Sequence, residues 1–84
     1  RSSDLACEAM EEGGNMPTVY NAANEKAVGL FLHREISYLQ ITDLIEACMD
    51  AHKVIANPNV EEILAAEQEA HAFMGIRLVN KHRV

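Results

Sequence analysis

Apolar residues recur at helical spacing through almost all of the 84-residue chain, and strand-like alternation is nearly absent. Glycine and proline interrupt this pattern at Gly13-Gly14, at Pro17 and at Asn57-Pro58. Because glycine favours the end of a helix and proline is tolerated in the first turn, these positions mark helix boundaries. The sequence therefore predicts an all-α fold, a compact and largely antiparallel four-helix bundle with short connections. We expect helices over residues 4–12, 17–33, 39–52 and 60–79.

The side chains expected to form the core share one stripe on each predicted helix. They are Leu5, Ala6, Ala9 and Met10 on the first helix, Val19, Ala23, Ala27 and Leu30 on the second, Ile41, Leu44, Ile45, Cys48 and Met49 on the third, and Ile63, Leu64, Ala70, Phe73, Met74 and Leu78 on the last. Ser3 or Asp4 can cap the first helix, and Asn59 with Glu62 forms a capping-box pattern before the last. Residues 81–84 are expected to form a frayed or free tail.

The composition argues against several classes of protein. Thirteen acidic residues against seven Lys and Arg give a formal net charge of −6, which does not favour a nucleic-acid surface. No apolar run approaches the roughly 18–20 residues that a bilayer span needs. The chain opens on Arg1-Ser-Ser-Asp without the apolar core of a signal peptide, so we expect a cytoplasmic protein without membrane contact. Because no methionine precedes Arg1, we also expect a processed product or an excerpt of a longer protein.

The two cysteines, Cys7 and Cys48, both fall on predicted helices. Secreted mini-domains usually carry four or more cysteines in a disulfide framework. We therefore expect two buried free thiols rather than a disulfide. Neither cysteine lies beside a histidine or at a helix N-terminus, where its pKa would be lowered for nucleophilic chemistry.

The chain lacks a recognisable catalytic or cofactor motif. No Cys-x-x-Cys, His-x-x-x-His or Glu-x-x-His pair supplies metal ligands, and no glycine-rich loop has the spacing that binds a nucleotide. Glu67 and His71 are spaced i, i+4, which we interpret as a surface contact rather than a ligand pair. We therefore expect no catalytic, cofactor-binding or metal-binding residue in this segment.

One predicted helix departs from a simple amphipathic pattern. Asn21, Asn24 and Glu25 are spaced i, i+3 and i+4, so their side chains share one face. Asparagine is a mediocre helix former, because its short amide competes for backbone hydrogen bonds. The neighbouring Ala22 and Ala23 are small enough to let another backbone come close. We interpret the three residues as a polar face, which either meets another domain or holds a neighbouring helix through amide hydrogen bonds.

The run from Ala9 to Leu32 closely resembles the C-terminal helical domain of 1-deoxy-D-xylulose 5-phosphate reductoisomerases. Its most specific part is Pro17-Thr-Val-Tyr-Asn-Ala-Ala-Asn-Glu25, which follows a helix ending in Gly-Gly. Ile36-Ser-Tyr-Leu-Gln-Ile41 and Asn57-Pro-Asn-Val-Glu-Glu-Ile-Leu64 also fit, so the resemblance covers essentially the whole chain. The departures are mild, with Tyr20 where leucine is usual and Tyr38 where phenylalanine is common.

The resemblance implies that residues 1–84 form the single helical C-terminal domain of a larger enzyme. Enzymes of that family use NADPH and a divalent cation, Mg²⁺ or Mn²⁺, to convert 1-deoxy-D-xylulose 5-phosphate to 2-C-methyl-D-erythritol 4-phosphate in non-mevalonate isoprenoid biosynthesis. The implied partners of this segment are the remaining domains of a homodimeric parent, and the segment alone is expected to be inactive. A free-standing helical protein-interaction module is the alternative. A small metal-binding bundle is a further rival, but the spacings do not supply its ligands.

Overall fold

The computed structural model describes the backbone of residues 4–82 and the side chains of residues 4–75. It contains the helices α1 (Leu5–Glu12), α2 (Met16–Leu32), α3 (Tyr38–Ala51) and α4 (Val60–His82), and the described residues form no strand. Helix α2 packs against each of the other three, and α3 also contacts α1 and α4. The predicted all-α bundle with short connections is confirmed. Of the described helices, none combines the length and apolar character that a membrane span requires.

The helix boundaries lie close to the predicted ones, with the largest difference at the end of α4. That helix continues to His82, whereas a free tail was predicted from residue 81 onward. Residues 83 and 84 lie outside the described part of the chain. Helix α1 ends where expected, at a glycine pair in which Gly13 and Gly14 both have positive φ, +69° and +56°.

Side-chain hydrogen bonds cap the starts of α1, α3 and α4. The Asp4 carboxylate accepts from the backbone N–H three residues further on at 3.3 Å, so Asp4 is the cap of α1. Asn59 and Glu62 form the predicted capping box, with N···O distances of 2.7 and 3.0 Å. Ser37 and Gln40 form another capping box before α3, which was not predicted although the two residues have the required spacing.

Helix α2 ends in a tight reversal centred on Arg34, which has a φ of +62°. The Arg34 N–H donates to the Phe31 carbonyl and the Glu35 N–H donates to the Leu30 carbonyl, both at 2.9 Å. These two bonds form the Schellman arrangement, in which the left-handed position is usually glycine. Arginine is less suited to it, because a left-handed backbone brings Cβ close to a carbonyl oxygen.

Helix α2 supplies more of the described core than any other helix, as its central position requires. The fully or almost fully buried apolar residues are Leu5 and Ala9 on α1, Met16, Val19, Ala22, Ala23, Ala27 and Leu30 on α2, Ile36, then Ile45, Cys48 and Met49 on α3, and Ala66, Ala70 and Met74 on α4. The predicted stripe of α2 is buried in full. Its alanines leave room for the neighbouring helices to approach closely, and this close packing excludes water from the centre of the bundle.

Four residues assigned to the core or to a buried thiol are exposed instead. Helix α1 turns only Leu5 and Ala9 inward, so Met10 is 70 % exposed and Cys7, midway between those two positions, faces solvent. Helix α4 buries a narrow stripe at i, i+4 and i+8, and Leu64 lies off that stripe with 54 % exposure. The prediction of two free thiols is confirmed, but the prediction that both are buried holds only for Cys48. Ala6 is also exposed, and the side chain of Leu78 lies outside the described ones.

Candidate domain-contact surface

A continuous stripe of exposed residues runs along α2 on the side opposite its buried residues. Asn21, Glu25, Val28 and Leu32 follow one another at i, i+4, i+7 and i+11, a spacing that keeps side chains in line along a helix. Asn24 lies beside this stripe and is half-buried. The structure thus places Asn21, Asn24 and Glu25 on one side of α2, and that side continues as apolar surface toward the end of the helix.

The amides of Asn21 and Asn24 do not bond the helices of the bundle together. The side-chain hydrogen bonds formed among the described residues involve neither amide, and no buried polar side-chain atom among those residues lacks a partner. The Asn24 amide therefore reaches solvent even though the residue is half-buried. Of the two interpretations of the polar face, internal bonding to a neighbouring helix gains no support from these contacts.

Glu25 contacts His71 on α4 across the two helices. Its Oε1 lies 3.8 Å from His71 Nε2, and the two form an ion pair when the imidazole is protonated. Exposed pairs of this kind contribute about 0–1 kcal/mol to stability. The expected contact of His71 with Glu67 on its own helix is therefore corrected, because the partner that the structure describes belongs to α2.

An open depression of about 410 Å³ lies between α2 and α4. Its lining includes Glu25, His33, Glu35 and His71. Within the described residues, no three His, Cys, Asp or Glu side chains stand close enough together to hold a metal ion. No chemical step can therefore be assigned to a divalent cation held by the described side chains.

The two thiols are also poor nucleophiles. Burial raises the pKa of Cys48 from 9.0 to about 11, so its thiol stays protonated at neutral pH. The hydrogen bond to Asp4, together with the negative charge of that carboxylate, raises the pKa of Cys7. A reactive cysteine needs the opposite shift.

The sequence analysis did not identify Asn15. Its exposed fraction is 4 %, and it is the one buried polar residue among those described. Its Nδ2 donates to the Lys53 carbonyl at 3.1 Å, and its Oδ1 accepts from the Ile55 N–H at 2.8 Å. The Asn15 N–H also donates to the Ile55 carbonyl at 3.2 Å. These three bonds connect the turn before α2 to the connection between α3 and α4, and so they fix where α2 begins.

Gly14 makes this close approach possible. A Cβ on Gly14 would run into the backbone carbonyl of Ile55 and would lie 2.9 Å from its carbonyl carbon. The sequence signal was an asparagine directly after a glycine pair. Its partners lie 38 and 40 residues away in sequence, beyond the reach of any local pattern.

Comparison with known proteins places the chain in a family. Residues 1–73 match the family described as DXP reductoisomerase C-terminal domain. Similar proteins named 1-deoxy-D-xylulose 5-phosphate reductoisomerase come from Agathobacter rectalis, 53 % identical over 73 residues, Lachnoclostridium phytofermentans, 54 % over 70, and Halalkalibacterium halodurans, 46 % over 74. The matches cover 87, 83 and 88 % of this chain and 19, 18 and 19 % of those proteins, so the chain spans about a fifth of their length. No solved structure matches it. The chain belongs to the DXP reductoisomerase C-terminal domain family.

Proposed function

We propose that the chain is the C-terminal helical domain of a 1-deoxy-D-xylulose 5-phosphate reductoisomerase, and that it supports the other domains without supplying catalytic groups. The observation that carries the proposal is the family match over residues 1–73, together with relatives about five times as long as the matched segment. The homodimeric parent enzyme converts its substrate to 2-C-methyl-D-erythritol 4-phosphate with NADPH and Mg²⁺ or Mn²⁺. Both cofactors are bound by the domains outside this segment.

In this proposal the polar face of Asn21, Asn24 and Glu25 is where the helical domain meets the rest of the enzyme. Two observations support it. The face is open to solvent, and neither amide has a hydrogen-bond partner among the described residues of the bundle. Asparagine weakens a helix relative to leucine or alanine. Because no described residue of the bundle compensates for the two asparagines, we assign their role to a contact outside it.

The proposal is tested by assaying the isolated chain and the full-length parent in parallel for NADPH oxidation with 1-deoxy-D-xylulose 5-phosphate. We expect turnover by the full-length enzyme alone. Calorimetric titration of the isolated chain with NADPH, Mg²⁺ and Mn²⁺ should give no tight binding. Turnover by the isolated chain, or tight binding of any of the three, would contradict the proposal.

The second candidate is a free-standing interaction module that uses the same exposed face of α2 to bind a separate protein. The length of the open reading frame distinguishes the interaction module from the enzyme domain. The module requires a start codon just upstream of Arg1 and an open reading frame close to the length of this chain. The proposed enzyme domain requires a reading frame about five times as long as the matched segment.

A further inference from the structure

Exposed apolar side chains cluster where α2 ends and α3 begins. This cluster, the apolar corner, consists of Val28, Phe31, Leu32, Tyr38 and Leu39. Half of the ten large hydrophobic residues that the described part of the chain exposes lie in it, and Leu32 and Leu39 are 71 % and 80 % exposed. Single exposed apolar residues are ordinary on a protein surface, but a contiguous group of them marks an interaction site.

The apolar corner is built from two helices that meet through a contact between aromatic rings. The rings of Phe31 and Tyr38 meet edge to face with centroids 5.9 Å apart, which joins the end of α2 to the start of α3. Leu32 and Leu39 each follow one of these rings in sequence. The corner is also continuous with the polar face, because Asn21, Glu25 and Leu32 lie on the same stripe of α2.

The two helix ends that form the corner carry no charged side chain. A basic residue in the last turn of a helix and an acidic residue in the first turn both complement the helix dipole. Helix α2 has no basic residue in its last turn, and α3 has no acidic residue in its first. Residues 27–32 and 36–42 carry no charge, and the charged Arg34 and Glu35 between them are exposed in the reversal that follows α2. Depletion of charge around exposed aromatic and aliphatic side chains is typical of the core of an interface.

We infer that the apolar corner docks onto the part of the same polypeptide that lies outside this chain. The inference rests on the proposed function, and it names a second element of the same contact. Relatives are about five times as long as the segment they share with this chain, so most of such a polypeptide is available to cover the corner. The corner provides apolar burial, and the adjoining Asn21, Asn24 and Glu25 determine the orientation in which the two parts meet.

The test combines Leu32→Ser and Leu39→Ser, in the isolated chain and in the full-length enzyme. The isolated chain should keep its melting temperature, because both side chains are already exposed. In the full-length enzyme, limited proteolysis should release the helical domain about tenfold faster or more, and kcat/KM should fall. The matched control combines Val60→Ser and Leu64→Ser on α4, where the exposures are 74 % and 54 %; it should change neither quantity.

Unchanged proteolysis and kinetics in the full-length double variant would overturn the inference. Dimerisation of the isolated chain that the same substitutions abolish, with the full-length enzyme unaffected, would also overturn it, because a second copy would then cover the corner. A parallel variant with Asn21→Leu and Asn24→Leu separates this inference from the proposed function. If only that variant weakens the full-length enzyme, the proposed function stands and the docking role of the corner fails. If neither variant affects it, the docking role of the corner and the proposed contact through the polar face both fail.

Discussion

Replacing Asn15 by alanine should destabilise the isolated bundle more than replacing any other polar side chain described here. The Asn15 side chain holds two backbone groups of a distant segment, the Lys53 carbonyl at 3.1 Å and the Ile55 N–H at 2.8 Å. Alanine lacks the amide group, so both of these hydrogen bonds are lost at once. The hydrogen bond from the N–H of residue 15 to the Ile55 carbonyl remains. The turn before α2 then loses most of its attachment to the connection between α3 and α4.

The magnitude follows from the two groups left without a partner. A buried donor or acceptor that loses its hydrogen bond costs about 1–3 kcal/mol. Lys53 and Ile55 are exposed residues, so water can reach part of each group, and we expect a total near the lower end, about 2–3 kcal/mol. For a domain of this size, 1 kcal/mol shifts the melting temperature by about 4–8 °C, so the loss should be about 10–20 °C.

Far-ultraviolet circular dichroism during heating and during urea titration measures both quantities. The control is Asn21→Ala, since Asn21 is exposed and its change should stay within about 0.5 kcal/mol. An Asn15→Ala variant that is as stable as the starting chain would refute the reasoning. So would an Asn21→Ala variant that loses as much as Asn15→Ala.

Three further changes test other parts of the structure. Arg34→Gly should stabilise the chain by about 1 kcal/mol by relieving the left-handed residue after α2, whereas Arg34→Ala should give no such gain; urea unfolding of both decides it. In the same assay, Gly14→Ala should lower the free energy of unfolding more than Gly13→Ala. Both glycines have positive φ, but only at Gly14 would the added Cβ clash with the backbone of Ile55. Raising the pH tests the raised pKa of Cys48. Because burial raises its pKa from 9.0 to about 11, the unfolded chain loses the thiol proton first, and the stability that the neutral thiol contributes is complete below pH 9 and disappears between pH 9 and 11. Across that range the free energy of unfolding should fall by about 1.4 kcal/mol per pH unit more steeply than in a Cys48→Ala variant, and equal slopes would refute the assignment.

The helices could be predicted because their ends depend on local chemistry. Gly13 and Gly14 supply the positive φ angles that end α1, and Asn59 with Glu62 supplies the hydrogen bonds that start α4. Each signal acts within a few residues, so it can be recognised without knowledge of the tertiary structure. The same reasoning placed Asn21, Asn24 and Glu25 on one face of α2, because spacing alone determines it.

What the sequence could not provide is the number and position of neighbours around each helix. Helical spacing makes Met10 and Leu64 candidates for the core, but the described side chains of α1 and α4 bury a narrow stripe that leaves both outside it. The predicted burial of Cys7 was wrong for the same reason. Asn15 was missed because its partners belong to a segment that only the tertiary fold brings near. A local sequence pattern is equally unable to predict whether an exposed amide has a partner beyond the bundle.

The role of the polar face is tested most directly by placing Asn21→Leu and Asn24→Leu together in the isolated chain and in the full-length enzyme. The isolated chain should keep its stability or gain up to about 1 kcal/mol, because leucine is the better helix former and neither amide has a partner among the described residues of the bundle. The full-length enzyme should lose about 1–3 kcal/mol of stability, with a fall in kcat/KM, because groups of the other domains are left unpaired. A comparable loss in the isolated chain would mean that the amides act within the bundle. Indifference in both proteins would contradict the contact with the rest of the enzyme.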